Sequence, residues 1–143
     1  MYDCLFSLIH PDAKPPFQKY SSDVGWDVFA CETVEFDIYE CKFVNTGIVI
    51  VPPKGYYFDA LLRSSIGDRF QLTNSVGVID PDYRNSVKLR LLNFTGQKQK
   101  IEKGDRIGQL ILRKRRKLNW INVDYDTIKD TERGTNGFGS TGK

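Results

Sequence analysis

The feature that most constrains the fold of this chain is a series of short segments rich in β-branched and aromatic residues, separated by turn residues. Val34, Phe36 and Ile38 alternate with Glu35 and other outward-facing neighbours, as in a strand with one buried face. A helical repeat of useful length is absent from the sequence. The pattern predicts an all-β sandwich or jelly roll.

The predicted strands and turns can be located along the chain. Strands are expected at residues 2–9, 34–39, 43–51, 56–62, 87–94, 106–112 and 118–123. Turns are expected at residues 52–55, 95–97 and 103–105. A short helix could begin at Ser64 and Ser65, whose hydroxyls can cap free N–H groups, and Gly67 would keep it brief.

The length of 143 residues, with 40% hydrophobic content, predicts one domain with its own core. The first nine residues lack a signal-peptide pattern, and no window is apolar enough to span a bilayer. Cys4, Cys31 and Cys41 are odd in number and lack metal-ligand spacing, which favours free thiols in a reducing compartment. We therefore expect a cytoplasmic or nuclear protein that binds no membrane.

The positive charge of the chain is concentrated in residues 113–117. The net charge of +3 is too small to indicate nucleic-acid binding by itself. The basic run, with Trp120 nearby, could bind nucleic acid or act as a nuclear import signal. We favour the interpretation that part of the run alternates on an exposed strand or hairpin and is simply solvated.

The residue types limit the chemistry that the chain can perform. His10 is the only histidine, which excludes Ser-His-Asp and Cys-His catalysis and multi-histidine metal sites. Hydrolysis would depend on carboxylates, and the densest candidates lie at residues 77–84, where an apolar strand leads into Asp80 and Asp82. One acid could act as a general base, and a plain turn is the alternative.

Two segments have the composition of phosphate sites. Arg63, Ser64 and Ser65 follow the apolar run 60–62, so a guanidinium and two hydroxyls emerge together at a strand end. A helix cap beside a surface arginine is the alternative. Residues 133–142 combine an arginine and hydroxyls with glycines whose backbone N–H groups can converge on an anion. A frayed tail is the alternative there.

Taken in order and spacing, five segments resemble the five motifs of the trimeric dUTPases. They are residues 24–27, 63–65, 77–84, 104–110 and 133–142. The first reads by itself as a glycine turn or a bulge, and the fourth as a hairpin turn. The resemblance implies a β jelly-roll homotrimer that hydrolyses dUTP to dUMP and pyrophosphate with Mg²⁺, keeping uracil out of DNA and supplying dUMP for dTMP synthesis. Each active site would be built from three subunits.

The resemblance also implies a role for each matching residue on the nucleoside side. Asp80 would be the general base that deprotonates a water for in-line attack on the α-phosphorus. Tyr83 would lie against the deoxyribose and leave no room for a 2′-hydroxyl. Uracil would be read by the backbone of a hairpin that includes Asn74, Gly77 and Val78.

Two groups would bind the phosphates. The core group consists of Arg63, Ser64, Ser65 and Gln109. The tail group consists of Arg133, Gly139, Ser140 and Thr141. Phe138 would cover uracil as the tail closes like a lid, so residues 1–132 would form the core and residues 133–143 a flexible glycine-rich arm of the same domain. Asp27 would act through water on Mg²⁺, which would be held chiefly by substrate oxygens.

The chain departs from the family pattern at a few positions. Asn85 replaces the glycine that commonly follows Asp-Tyr-Arg, and asparagine tolerates left-handed geometry better than most residues. Gly108 replaces a frequent alanine, and Leu62 stands where a proline is usual. None of these changes removes a reacting group.

Two other functions fit parts of the sequence. The related dCTP deaminases, including bifunctional deaminase/dUTPases, share the Arg-Ser-Ser and Ile-Asp-Pro patterns. They place a glutamate on the following strand, where by our count Arg90 stands here, and arginine cannot act as that base. A trimer that has lost catalysis and serves as a ligand-controlled partner is disfavoured by the presence of Asp80, Tyr83, Arg133 and Phe138.

Overall fold

The computed structural model describes residues 2–74 and 76–137, and over this range strands dominate. The strands are β1 (Leu5–Leu8), β2 (Gly25–Phe29), β3 (Val34–Phe36), β4 (Cys41–Asn45), β5 (Ile48–Val51), β6 (Tyr56–Leu62), β7 (Phe70–Leu72), β8 (Gly77–Ile79), β9 (Lys88–Asn93), β10 (Gln99–Ile101) and β11 (Arg106–Lys114). A 3-10 turn spans Ser64–Ile66, and the helix α1 spans Tyr125–Ile128. The all-β prediction is confirmed.

The strands of residues 2–74 and 76–137 form four antiparallel sheets. The largest has the order β2-β11-β6-β8, and a three-stranded sheet has the order β4-β9-β7. Two further pairs are β1 with β5 and β3 with β10. Most neighbours in these sheets are distant in the sequence, so long-range pairing fixes which loops meet.

A single hydrophobic core lies between the sheets. Its residues are buried and come from nearly every strand: Val28, Ala30, Phe36, Val44, Ile48, Ile50, Phe58, Ala60, Ile66, Phe70, Ile79, Val87, Leu89, Leu91, Ile101, Ile107 and Leu110. On β9 the buried Leu89 and Leu91 alternate with the exposed Lys88 and Arg90, as the period of a strand requires. Trp26 packs on this core, with its ring edge-on to Phe58 at 6.5 Å.

Several predicted strands have different ends in the structure. The segment 43–51 is divided into β4 and β5 by a bend at Thr46 and Gly47, where Gly47 has a φ of +68°. The segment 34–39 ends as a strand at Phe36, because the chain turns and Tyr39 has a φ of +58°. The prediction for 56–62 matches β6.

Three local predictions are wrong. Residues 118–123 form no strand, although their composition is typical of one. Gly25 begins the strand β2 and does not form a turn. The short helix itself is confirmed as the 3-10 turn Ser64–Ile66, which ends before Gly67, but its predicted capping by serine hydroxyls is wrong, because Arg63 occupies the N-cap position and no side chain caps the turn.

The last part of the described chain lies apart from the core. Every residue from 113 to 137 is exposed, including the large apolar residues Leu118, Trp120, Ile121, Val123, Tyr125 and Ile128. Trp120 is 88% exposed. Neither helical segment of residues 2–74 and 76–137 has the length and apolar character needed to cross a membrane. Cys4, Cys31 and Cys41 are free, as predicted.

Candidate functional site

A polar pocket of about 360 Å³ lies at one end of the largest sheet. Three of its lining residues come from three different predicted motifs: Asp27, Arg63 and Gln109. The sheet brings them together, because Gln109 on β11 pairs with Asp27 on β2 and with Leu61 on β6. Ser64, from the turn after β6, also lines the pocket.

Asp27 is the electrostatic centre of this pocket. Its side chain is 17% exposed, and its two oxygens receive Arg63 Nε at 3.0 Å and Arg106 Nη1 at 3.3 Å. A carboxylate that pairs with two guanidinium groups holds both of them in place and adds only one negative charge to the site. Lys19 adds a third cation to the lining, and Asp23 a second acid. The pocket therefore carries more positive than negative groups and suits an anion.

The segment before β2 closes one side of the pocket. Phe17 forms an isolated antiparallel bridge with Asp27, with N···O distances of 3.0 and 2.7 Å. This bridge places Lys19 and Tyr20 at the pocket. No sequence pattern pointed to these two residues, since they lie in a polar loop. Arg106 could have been found, because it lies in the fourth motif, but there it reads as part of a hairpin turn.

A second group of predicted residues lies at the connection between β7 and β8. The predicted hairpin is wrong here, because β7 pairs with β9 and β8 pairs with β6, in another sheet. Thr73 N donates to Arg90 O at 2.8 Å, and Arg90 N donates to Asn74 Oδ1 at 3.3 Å. These bonds tie the connection to β9. Gly77 is buried against Ala60, and a Cβ at position 77 would lie 3.1 Å from Asn74 Nδ2. The backbone at Asn74 and Gly77 is therefore held close to its neighbours.

Asp80 and Tyr83 lie in the turn that follows β8. Both are exposed, with Tyr83 at 40%, and Tyr83 N donates to Asp80 O at 3.1 Å. Arg84 Nη1 closes the same turn by donating to Pro81 O at 2.7 Å. Asn85 does not adopt the left-handed geometry that its position in the motif suggested. Its side chain instead accepts from Ser86 N at 2.7 Å.

Within one chain, Asp80 does not line the pocket that contains Arg63, Ser64 and Gln109. Ile79, which precedes Asp80, pairs with Phe58, and Phe58 lies four residues before Leu62 on β6. Four residues of strand correspond to about 13 Å. Ser65 is exposed and is not part of the pocket lining.

The beginning of the tail makes only local contacts. Arg133 Nε donates to Asn136 O at 3.0 Å, and Gly134 N donates to Thr131 O at 3.1 Å. Among the described residues, the hydrogen bonds of segment 116–137 join members of that segment to one another. Phe138, Gly139, Ser140 and Thr141 lie outside the described residues.

An apolar groove of about 330 Å³ lies on the same sheet, away from the polar pocket. Its lining consists of Tyr2, Cys4, Phe6, Pro16, Trp26, Ile50, Pro53, Phe58, Leu110 and Leu112. Several of these side chains belong to residues of the core or pack against it. An exposed apolar segment of a protein chain could bind in this groove.

The side chains that could coordinate a metal ion show what kind of ion the pocket can hold. In residues 2–74 and 76–137, no three His, Cys, Asp or Glu side chains converge in a way that could hold one. Asp27, the acid at the centre of the pocket, already pairs with Arg63 and Arg106. This set does not form an all-protein cage, but it suits an ion that arrives with phosphate oxygens and keeps its waters.

Comparison with known sequences identifies relatives over almost the whole chain. Residues 12–142 match the dUTPase family. A deoxyuridine 5′-triphosphate nucleotidohydrolase of Mus musculus is 35% identical over 139 residues, covering 96% of this chain and 84% of the relative. The enzyme of the same name from Zymomonas mobilis is 37% identical over 134 residues, covering 91% and 90%. That from Candida albicans is 34% identical over 136 residues, covering 95% and 86%.

Solved structures have the same fold. The dUTPase of Staphylococcus bacteriophage 80alpha with dUPNHPP superposes with a TM-score of 0.87 at 23% identity, covering 99% of both chains. A mutant dUTPase of phage phi11 of S. aureus, described for its coordination of a structural Mg(II) ion, gives a TM-score of 0.78 at 18% identity and covers 85% of this chain and 97% of that one. At these identities the likeness establishes the fold.

Proposed function

The chain belongs to the dUTPase family, and from this premise we propose how its residues hydrolyse dUTP to dUMP and pyrophosphate. The observation that carries the proposal is the polar pocket, in which residues from three separate motifs converge around Asp27. Its cations suit the triphosphate, which is the most highly charged part of the substrate. Family membership and the pocket thus support the same reaction.

We propose that Arg63, Ser64 and Gln109 bind the phosphate oxygens. Arg63 is pre-oriented by its 3.0 Å ion pair with Asp27, so it need not be immobilised when substrate binds. Arg106, the other partner of Asp27, adds positive potential at the same place. Ser65 from the adjoining turn, and Arg133, Gly139, Ser140 and Thr141 from the arm 133–143, complete the phosphate contacts in this proposal.

The bond-breaking step is assigned to Asp80. Its carboxylate accepts a proton from a water, and the water oxygen attacks the α-phosphorus in line with the leaving pyrophosphate. A new P–O bond to water forms as the bond to the bridging oxygen breaks, which yields dUMP. In this proposal Tyr83 lies against the deoxyribose, the backbone at Asn74, Gly77 and Val78 binds uracil, and Phe138 covers the base.

We propose that the reaction depends on Mg²⁺. When bound to the triphosphate, the ion neutralises charge on the phosphate oxygens. Asp27 would interact with it through water, because its own oxygens already accept from Arg63 and Arg106. The dUTPase of phage phi11, described with a structural Mg(II) ion, supports a role for magnesium in this fold.

We also propose a homotrimer with shared active sites. Two observations support it. Asp80 does not line the pocket that contains Arg63, because its neighbour Ile79 pairs with Phe58, about 13 Å of strand from Leu62. The segment 118–128 exposes a row of large apolar side chains that the chain itself does not cover. Assembly would cover them and bring Asp80 close to the Arg63 pocket of another subunit.

We propose a cytoplasmic or nuclear location for the protein.

The first test is the Asp80→Asn variant. Loss of the carboxylate removes the base, so we expect dUTP turnover to fall by about 10²-fold or more, with the affinity for dUTP largely unchanged. Products from dUTP, dCTP, dTTP, UTP and dATP would be separated by chromatography, with and without Mg²⁺. We expect dUMP and pyrophosphate from dUTP alone.

The matched control is Asp82→Asn. Asp82 is an exposed acid in the same turn, two residues from Asp80, so the variant removes the same charge from the same loop. It should keep most of the activity. Equal loss in both variants would contradict the assignment of Asp80. Deoxyuridine products from dCTP would favour the deaminase alternative, which Arg90 argues against.

A further inference from the structure

The turn that carries Asp80 and Tyr83 is anchored in the protein at both ends. Before the turn, Ile79 belongs to β8 and pairs with Phe58 of β6. After the turn, Ser86 is 2% exposed and Val87 is fully buried. The exposed part of the turn is thus short, and its two ends cannot move independently of the core.

The second anchor is made by the bend between β4 and β5. Thr46, which is fully buried, donates to Val87 O through both its backbone N at 3.1 Å and its Oγ1 at 2.8 Å. Val87 N donates in turn to Ile48 O at 2.8 Å. Buried hydrogen bonds of this kind are costly to break, so the bend holds position 87 firmly.

A chain of hydrogen bonds leads from this bend to the ring of Tyr83. Tyr83 Oη donates to Ser86 O at 3.2 Å, and Ser86 Oγ donates to Asn45 Oδ1. Asn45 Oδ1 is itself held by Gly47 N at 3.0 Å. The phenol is therefore bonded to the backbone carbonyl of Ser86, and the buried hydroxyl of the same residue ties Ser86 to Asn45 beside the bend.

This connection matters because Tyr83 is only partly covered. The residue is 40% exposed, so packing against the chain restrains its ring on one part only. A pocket wall rejects one extra hydroxyl group only if the wall cannot yield, since a movable side chain can turn aside at small cost. Anchoring the hydroxyl end of the ring removes that freedom.

We propose that Ser86 and Asn45 are positioning residues that hold the Tyr83 ring as a fixed wall against the ribose 2′-hydroxyl, and so set the preference for dUTP over UTP. The inference rests on the proposed function, in which Tyr83 faces the sugar. It adds two residues outside the five motifs, one of which, Asn45, lies 41 positions away in the sequence from its partner Ser86.

The test is the ratio of kcat/KM for dUTP to kcat/KM for UTP. We expect Ser86→Ala, Asn45→Ala and Tyr83→Phe each to lower this ratio roughly three- to tenfold, the range of coupling between hydrogen-bonded neighbours. The double variant Tyr83→Phe/Ser86→Ala should lower it no further than Tyr83→Phe does. Asn45→Asp keeps an oxygen acceptor and should restore the ratio.

Thr46→Val is the matched control. It removes the buried bond to Val87 O and so loosens the same bend, but it leaves the chain from Asn45 to Tyr83 intact. The stability of this variant should fall, while its ratio of kcat/KM for dUTP to kcat/KM for UTP stays unchanged. An unchanged ratio in Tyr83→Phe and Asn45→Ala, with dUTP still hydrolysed, would overturn the inference even if Ser86→Ala fails to fold. Failure of the wild-type protein to hydrolyse dUTP would instead overturn the proposed function.

Discussion

Gly25 makes room for a polar side chain at the pocket. A Cβ at this position would lie 2.6 Å from Gln109 Oε1 and 3.0 Å from Ile111 Cδ1. Gly25 is in a regular strand and has no positive φ, so its role is one of space and not of backbone geometry. The absence of a side chain at position 25 allows the Gln109 amide to reach the pocket.

We expect Gly25→Ala to displace the Gln109 amide and to lower kcat/KM for dUTP by about tenfold, as a small misplacement of a binding group does. The thermal midpoint should change little, because alanine is tolerated in strands. Steady-state kinetics and thermal unfolding check this together. Gly96→Ala is the control, since a Cβ there has no neighbour within 4 Å. Full activity in Gly25→Ala would contradict the role given to this glycine.

Gly108 has a different function, which is packing. A Cβ at this position would lie 2.5 Å from Leu89 Cδ2 and 2.8 Å from the backbone oxygen of Leu61. The family resemblance allows alanine here, but in this chain the large Leu89 and the neighbouring strand occupy the space.

Gly108→Ala should therefore destabilise the protein by about 1–3 kcal/mol, the usual cost of overpacking a core. Urea unfolding measures the loss. Combining the change with Leu89→Val should recover part of it, because the clashing methyl is removed. A Gly108→Ala variant as stable as the wild type would show that β6 and β11 can separate further than the structure indicates.

At the scale of elements, ion pairs border the small ribbon of β3 and β10. The Lys98 ammonium hydrogen-bonds the Asp37 carboxylate at 2.8 Å and holds the pKa of Asp37 below its usual value. A hydrogen bond from Lys100 likewise lowers the pKa of Glu102. A carboxyl group with a lowered pKa stabilises the fold above its unfolded pKa, and this contribution is lost as the pH falls through the folded pKa.

We expect Asp37→Asn to lower stability slightly at about pH 6 and to have a smaller effect at about pH 2, because protonation of Asp37 at low pH removes the charge on which the pair depends. The effect at about pH 6 should shrink in high salt, because the pair is exposed. Urea unfolding at the two pH values measures it. Asp130→Asn, in the exposed tail, is the control. An equal loss at both pH values would mean that Asp37 acts by packing and not by charge.

Some strands can be predicted from the local sequence pattern by itself, and others cannot. The strand 56–62 has a long run of apolar and aromatic residues, and the structure forms it within those bounds. The strands Phe70–Leu72 and Gln99–Ile101 escaped prediction because three residues give too little alternation. Residues 118–123 have strand composition but no strand, because a strand needs a partner and the described chain offers none there.

At the scale of the whole molecule, the predicted site residues fall into two groups. One pocket is lined by Asp27, Arg63, Ser64 and Gln109, while Asp80 lies in the turn after β8 and is not part of that lining. A shared site in a trimer makes a definite prediction, since two inactive variants can supply what the other lacks.

We expect Asp80→Asn and Arg63→Ala to be inactive alone and active when mixed. If the two residues of a site come from different subunits, random equal mixing leaves about one quarter of the sites with both groups intact. The variants would be unfolded together, refolded and assayed with dUTP. Mixing without refolding is the control and should give no recovery if the assembly is stable. No recovery after co-refolding would place both residues in one subunit.

The sequence by itself determined the all-β class, the turns, the free thiols and the family, because these depend on local patterns and on motif order. It did not determine the pairing of Asp27 with Arg106, the polar pocket around them, or the link from Tyr83 through Ser86 to Asn45. Those contacts join residues 79, 3 and 41 positions apart, and strand register decides which of them meet. Register depends on the packing of the whole core, which is why only the tertiary structure could decide it.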